Sequence, residues 1–210
     1  MKIGIVDYGV GNILSISSAI RKFNVDPILC SNVEAIESCD GIVLPGVGAF
    51  PTGMRNLHNL GLVEPIKNAA DKSIPILGIC LGMQLLFRSS DEHSLTSGLS
   101  LINGQVKKID SKGERLPHIG WNILNKVNHS WSSTLLDGIR FDDELYFVHS
   151  YCAVGVSNEN VLATTSYGGH EFPSVVQRDQ VYGCQFHPEK SGDVGLSIIS
   201  SFIRICMERK

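Results

Sequence analysis

The sequence predicts an α/β protein: a central, mixed but mostly parallel sheet flanked by helices, with an added antiparallel region. Three observations point there. The first half alternates short apolar runs with segments of helical periodicity, the pattern of buried parallel strands joined by crossovers. The second half changes to alternating strands separated by tight turns. One segment, Gly78-Ile79-Cys80-Leu81-Gly82, joins a strand directly to a helix. At 210 residues, with 43% hydrophobic and 19% charged residues, the chain suits one well-filled domain over 1–210.

Element by element, Lys2–Asp7 is an apolar run ended by the turn Gly9-Val10-Gly11. Asn12 is placed to cap a helix whose apolar positions Ile13, Ile16, Ala19 and Ile20 recur at helical spacing. Pro27–Cys30 and Gly41–Pro45 follow as strands, and two helical pieces occupy Pro51–Ala70, broken near Gly61. Ser73–Ile79 is a fourth strand and Leu81–Arg88 a helix. Beyond the Asn103-Gly104 turn, strands are expected at Gln105–Ile109, Trp121–Val127, Leu145–Val148, Val161–Ser166, Ser174–Gln177 and Val181–Phe186, the last two joined by Arg178-Asp179-Gln180. The stretch Gly155–Pro173 carries no functional signature. Ser191 is placed to cap a final helix with Ile199, Phe202, Ile203 and Cys206 on one face.

Several function classes are disfavoured. Net charge is −3 with no long basic run, so a nucleic-acid footprint is missing, and Lys107-Lys108 reads as solvated surface. The N-terminal apolar run is too short for a signal peptide, and no stretch is long enough to cross a bilayer. Six scattered cysteines without CxxC spacing point to free thiols in a cytoplasmic setting, and no metal site is expected. Gly9-Val10-Gly11 is no dinucleotide loop: residue 14 is Leu and no acid ends the strand at Cys30, so no cofactor is expected.

Gly78–Gly82 has the nucleophile-elbow pattern with Cys80 at the reactive position. The glycines permit a sharp turn, and the electropositive helix N-terminus favours a thiolate. The Leu81 N–H is positioned for an oxyanion. A buried, inert cysteine is the plainer alternative, and it fits the other five cysteines better. The thiol needs a base, and the base needs an orienting group. His187 lies just past a strand end in Gln185-Phe186-His187-Pro188-Glu189, and Glu189, two residues on, can reach its imidazole. His149 is the second candidate, though its apolar run favours a structural role; His58 and His129 read as solvated.

Together, Gly78–Gln84 and Gln185–Glu189 resemble the class I, or triad, glutamine amidotransferases. The finer resemblance, over nearly the whole chain, is to the glutaminase subunits of imidazole glycerol phosphate synthases of histidine biosynthesis. It extends to Asp7–Asn12, Leu44–Phe50, Leu116–Asn122 and His187–Gly192. The resemblance implies the class I amidotransferase fold and hydrolysis of L-glutamine, with Cys80 as nucleophile, His187 as proton shuttle and Glu189 as its orienter. It implies an oxyanion strand at Gly46, Val47 and Gly48 together with Leu81, and glutamine contacts from Gln84, Glu92, Ser150 and Tyr151. It further implies a heterodimer with a (β/α)8-barrel cyclase that receives the ammonia, with Trp121, Tyr146 and Lys190 at the interface. Core packing is the competing reading for the two aromatics, and a solvated charge for Lys190. The same motifs would serve a paralogous synthase of surface-sugar modification. A free-standing cysteine peptidase or γ-glutamyl hydrolase, and a non-enzymatic thiol sensor, are more distant alternatives.

Overall fold

The computed structural model describes residues 1–127 and 130–209; His129 therefore lies outside the described residues. The elements run β1 (Ile3–Val6), α1 (Ile13–Arg21), β2 (Ile28–Cys30), α2 (Val33–Glu37), β3 (Gly41–Leu44), α3 (Phe50–Asn59), α4 (Val63–Asp71), β4 (Ile76–Ile79) and α5 (Leu81–Leu85). They continue with β5 (Ser89–Ser90), β6 (Thr96–Ser97), β7 (Gln105–Lys108), β8 (His118–Ile123), β9 (Asn125–Lys126), β10 (Glu144–His149) and β11 (Tyr151–Val154). The chain closes with β12 (Val161–Tyr167), β13 (His170–Arg178), β14 (Val181–Cys184) and α6 (Gly192–Glu208).

The main sheet has the order β2-β1-β3-β4-β14-β13-β12-β9. Its first five strands are parallel, and β13, β12 and β9 add an antiparallel edge. Period-2 alternation divides the apolar core between the two sheet faces. Ile3 and Ile5 of β1 join Ile16 and Ile20 of α1 and Ile198 and Phe202 of α6. Val6 joins Ile42, Leu44, Leu57 and Ile66 in a second cluster with α3 and α4. Two smaller sheets, β10-β8 and β11-β7-β5-β6, stand beside this frame.

The pairing of β4 with β14 positions the site. Ile79 lies opposite Cys184 in a parallel register, so both strands deliver their following residues to the same sheet end. The Cys80 N–H donates to Cys184 O at 2.8 Å and continues that pairing one residue beyond β4. Cys80 and His187, 107 positions apart, are thereby brought to one place, at the carboxyl strand ends where open α/β sheets place ligands.

Several element boundaries differ from the sequence expectation, each for a physical reason. The helix expected over Leu81–Arg88 ends at Leu85, because the Arg88 N–H turns away to donate to Gly104 O. The strand expected at Trp121–Val127 starts earlier, at His118, and splits at buried Leu124 so that β8 pairs β10 while β9 pairs β12. Neither expected serine nor asparagine cap forms. Asn12 contributes only its backbone carbonyl to Ile16. The Ser191 hydroxyl instead donates to His187 O at 2.7 Å and accepts from the Tyr146 N–H at 2.9 Å. The stretch 155–173 holds β12, the turn and the first part of β13 of a long hairpin turning on Gly168 and Gly169, both with positive φ.

The tightest packing in the frame is at the elbow. A Cβ on Gly82 would sit 1.8 Å from Leu44 O, and one on Gly78 would sit 2.7 Å from both Gly82 O and Met83 N. Backbone oxygens and nitrogens have nowhere to move, so only glycine lets α5 start against β3 and β4. Gly82→Ala is expected to destabilise the fold by about 3 kcal/mol or more, as severe overpacking does. Chemical denaturation of the variant checks this, and an unchanged midpoint would contradict the packing account.

Candidate active site

Cys80 occupies the junction of β4 and α5 with φ 53° and ψ −110°. A non-glycine residue at positive φ is strained by roughly 1–3 kcal/mol, a cost that recurs at functional sites. Here the strain is imposed by the hydrogen bond to Cys184 O before the residue and the helix start after it. It holds the thiol at the rim of a cavity of about 380 Å³. As helix N-cap, Cys80 is followed by Leu81, whose N–H is the first of α5 and has no intrahelical acceptor. The thiol contacts Val148 O and the Gln185 side-chain nitrogen, each at 3.8 Å.

His187 and Glu189 form a buried pair. His187 Nδ1 lies 2.9 Å from Glu189 Oε1, and the two side chains are 2% and 1% exposed. Three bonds fix this loop. The His187 N–H donates to Tyr146 O at 2.9 Å, the Ser191 hydroxyl donates to His187 O, and the Lys190 N–H closes onto the same carbonyl at 3.0 Å. Pro188 stops the strand ladder, and Gly195 lets α6 close over it, since a Cβ there would meet Pro188 O at 2.0 Å. Nε2 of His187 is buried and faces Cys80, with no other polar partner among the described residues, which leaves it free to exchange a proton with the thiol or a ligand.

The electrostatics of the ring follow from its neighbours. Burial opposes the imidazolium, but hydrogen bonding to Cys80 and Glu189, with charge attraction to both adding to it, outweighs burial and pushes His187 up to about 10. The protonated ring is thus the favoured charge state of His187 across the neutral range. His149 behaves oppositely: burial, with His118 and His187 adding to it against a bond to the Tyr151 carbonyl, takes it down to about 3. It stays neutral and has no contact with the thiol, so His187 is the better-placed base.

The cavity is lined by Val47, Gly48, Cys80, Leu81, Gln84, Glu92, Ser150, Tyr151 and His187, among others. The candidate glutamine-contacting residues therefore share one cavity with Cys80 and His187, while Glu189 stands behind the ring outside it. Gln84 is buried and donates both amide hydrogens, to Tyr151 O at 2.9 Å and to Gln185 Oε1 at 3.2 Å. Its carbonyl is the group left to offer a ligand. Glu92 spends one oxygen on the Phe50 N–H at 2.7 Å, anchoring its loop to the positive end of α3.

The Gly46–Gly48 segment borders the cavity above Leu81. A Cβ on Gly46 would approach the Tyr8 hydroxyl at 2.6 Å and Leu81 Cβ at 2.9 Å, while Gly48, at φ 99°, has open space around it. The Tyr8 hydroxyl donates to Pro45 O at 2.6 Å, and the Asn56 amide donates to Tyr8 O at 3.0 Å. The segment is thus pinned at its start and open at its middle.

The candidate interface residues are not in the core. Trp121 is 51% exposed and packs edge-on against Tyr146 at 5.8 Å, next to exposed Ile119 and Ile123 on β8. Lys190 is exposed near them on the loop that carries His187 and Glu189. Sequence reasoning missed Tyr8, Gln185, Ser191 and Asn56. For Gln185 a signal existed, since strand alternation puts it on the same side as His187. Tyr8, Ser191 and Asn56 act across long sequence separations and left no local trace.

Comparison with known proteins gives one answer. The class-I glutamine amidotransferase family model matches residues 4–205. Imidazole glycerol phosphate synthase subunit HisH 1 of Legionella pneumophila (strain Paris) is 46% identical over 210 residues, covering 97% of this chain and 99% of its own. Subunit HisH of Lactococcus lactis subsp. lactis is 43% identical over 202 residues, covering 96% and 98%. Among solved structures, one described as a glutamine amidotransferase has a TM-score of 0.76 at 16% identity, over 98% of both chains. PurLQS from Thermotoga maritima has a TM-score of 0.75 at 19% identity, over 97% and 98%. At these identities the structural likeness speaks for the fold alone.

In Glu189→Gln the negative charge beside Nδ1 is gone, so the His187 pKa is expected to fall from about 10. Turnover is expected to drop roughly a hundredfold or more, as when a triad carboxylate becomes an amide. NMR titration of the ring protons reads the first effect, and an unmoved pKa would contradict the assigned pairing.

Proposed function

The chain belongs to the class-I glutamine amidotransferases, and from that premise we propose how its residues work. It is the glutaminase subunit of an imidazole glycerol phosphate synthase in histidine biosynthesis. It hydrolyses L-glutamine to glutamate and ammonia and passes the ammonia to a synthase partner. The observation that carries the mechanism is the side-by-side delivery of Cys80 and the buried His187–Glu189 pair by β4 and β14.

The Cys80 thiolate attacks the side-chain amide carbon of glutamine. The tetrahedral oxyanion accepts from the Leu81 N–H and from a peptide N–H of Gly46-Val47-Gly48. Glycine on both sides of Val47 lowers the barrier to turning that peptide. His187 gives its Nε2 proton to the departing ammonia, leaving a γ-glutamyl thioester, then removes a proton from the water that hydrolyses it. Glu189 holds the ring and stabilises its charged form. Gln84, through its free carbonyl, and Glu92 receive the substrate's α-ammonium group, while Ser150 and Tyr151 hold its carboxylate. One domain performs all of this without a metal or cofactor.

The partner in this reading is a (β/α)8-barrel cyclase, forming a heterodimer in the cytoplasm. Among the described residues no helix is long and apolar enough to cross a membrane. The apolar strip Ile119, Trp121 and Ile123, with Tyr146 and Lys190 beside it, supports docking on the β8–β10 hairpin. The names of the relatives favour this acceptor over the surface-sugar one.

Glutamate release by the chain alone is expected to be low and to rise about a hundredfold or more with the cyclase and its nucleotide substrate, the worth of one oxyanion donor. Cys80→Ala should abolish release while melting like the parent. Glutamine-dependent activity retained in that variant would refute the mechanism. High activity without any partner would refute the gating.

A further inference from the structure

We infer that His149 is a positioning residue for the glutamine pocket, holding Ser150, Tyr151 and Gln84 through one bond to the Tyr151 carbonyl, and that His118 and Asn122 hold His149 in turn. This rests on the reading of the cavity as a glutamine site and adds a residue to it.

The geometry is a line of contacts running inward from the β8–β10 hairpin. Asn122 Oδ1 lies 2.8 Å from His118 Nε2, and the Asn122 amide nitrogen donates to Ser166 O at 3.4 Å. His118 Nδ1 lies 3.2 Å from His149 Nε2, and His149 Nδ1 lies 2.8 Å from Tyr151 O. The Tyr151 carbonyl also accepts from Gln84, whose other amide hydrogen goes to Gln185, the residue that contacts the Cys80 sulfur. A polar chain thus connects the exposed hairpin to the nucleophile, and every link is named by a distance.

The protonation states give this chain a direction. Burial lowers both imidazoles, against bonds to the Asn122 amide for His118 and to the Tyr151 carbonyl for His149, so each ring carries one proton. Tyr151 O can only accept, which puts the His149 proton on Nδ1 and makes Nε2 an acceptor. His118 must then donate from Nδ1. Two neutral rings supply two protons to three contacts, so Asn122 Oδ1, held in place by the Asn122 nitrogen's bond to Ser166 O, accepts from Nε2 in the state where His118 carries its second proton.

The bond from His149 Nδ1 to Tyr151 O spans Ser150, so it fixes the backbone of both residues proposed to hold the substrate carboxylate. It also sets the carbonyl that commits one Gln84 hydrogen, and so keeps the Gln84 oxygen aimed at the cavity. The rings are themselves clamped: His118 stacks between Phe147 and Tyr167 at 5.2 and 4.1 Å, and His149 meets Phe172 edge-on at 5.1 Å. His149 borders the cavity, but both its nitrogens are engaged, by Tyr151 O and by His118, so it acts through Tyr151 and the expected effect is on glutamine binding.

Two variants separate positioning from packing. In His149→Asn the amide nitrogen replaces Nδ1 and keeps the donation to Tyr151 O; in His149→Gln the amide reaches the Nε2 position and loses it. Both lose the ring. In the full chain with its cyclase partner, His149→Gln should raise the KM for glutamine about tenfold, the size set by one buried hydrogen bond, with kcat nearly unchanged. His149→Asn should stay within about twofold of the parent, and Asn122→Ala, half-exposed at the far end, should fold normally and raise KM about threefold. Equal KM values for the Asn and Gln variants, or a milder effect for the bulkier Gln, would overturn the inference while leaving the glutaminase reading intact. An unchanged KM in Asn122→Ala would overturn the outer link. A parent chain that hydrolyses no glutamine with any partner would overturn the reading of the pocket and this inference with it.

Discussion

Everything at this site depends on holding one cysteine in a backbone conformation that cysteines avoid. Cys80 sits at φ 53° because β4 continues its pairing with β14 through the Cys80 N–H and α5 begins at the next residue. Gly78 and Gly82 are the condition for that turn, since a Cβ at either would enter neighbouring backbone. The strain, roughly 1–3 kcal/mol, is held by the sheet beneath it. In return the thiol stands clear of the strand end, with an unbonded N–H beside it and the His187–Glu189 pair across from it.

The partner of that constraint is the parallel register of β4 and β14. It brings the two halves of the chemistry to one edge without any local sequence link. The charge distribution follows from it. A buried imidazole would ordinarily lose its proton, as His149 does; His187 keeps it because Cys80 and Glu189 bond and attract its charged form. Two histidines of similar burial thus take opposite charge states and different tasks: one moves a proton, the other supplies a fixed hydrogen bond. The loop bearing His187 is tied to β10 through the Tyr146 carbonyl and the Ser191 hydroxyl, so the exposed hairpin and the triad share atoms of one network.

Much of this was readable from the sequence, because the decisive features are local. Short buried runs separated by helices gave the parallel half, and the glycine-flanked Cys80 gave the elbow. The His187-Pro188-Glu189 spacing gave the pair now seen at 2.9 Å. What could not be read depends on pairings across the chain. The split between β8 and β9 follows from two different partner strands, which periodicity cannot reveal. The caps expected at Asn12 and Ser191 were plausible by residue type, yet tertiary contacts claimed the serine. The Gly168-Gly169 turn was a usable hairpin signal. The His118–His149 contact joins two β-strands 31 residues apart, and nothing in either neighbourhood announces it.

The proposed chemistry rests on Cys80 being the nucleophile of a glutamine-shaped pocket, with the other five cysteines free and buried elsewhere in the fold. The most direct test treats the chain, in complex with its cyclase, with a diazoketone analogue of glutamine and locates the adduct by peptide mass spectrometry. Labelling confined to Cys80, slowed by glutamine and absent in Cys80→Ala, is the predicted result. Labelling of another cysteine, or labelling of Cys80 that glutamine does not slow, would contradict it.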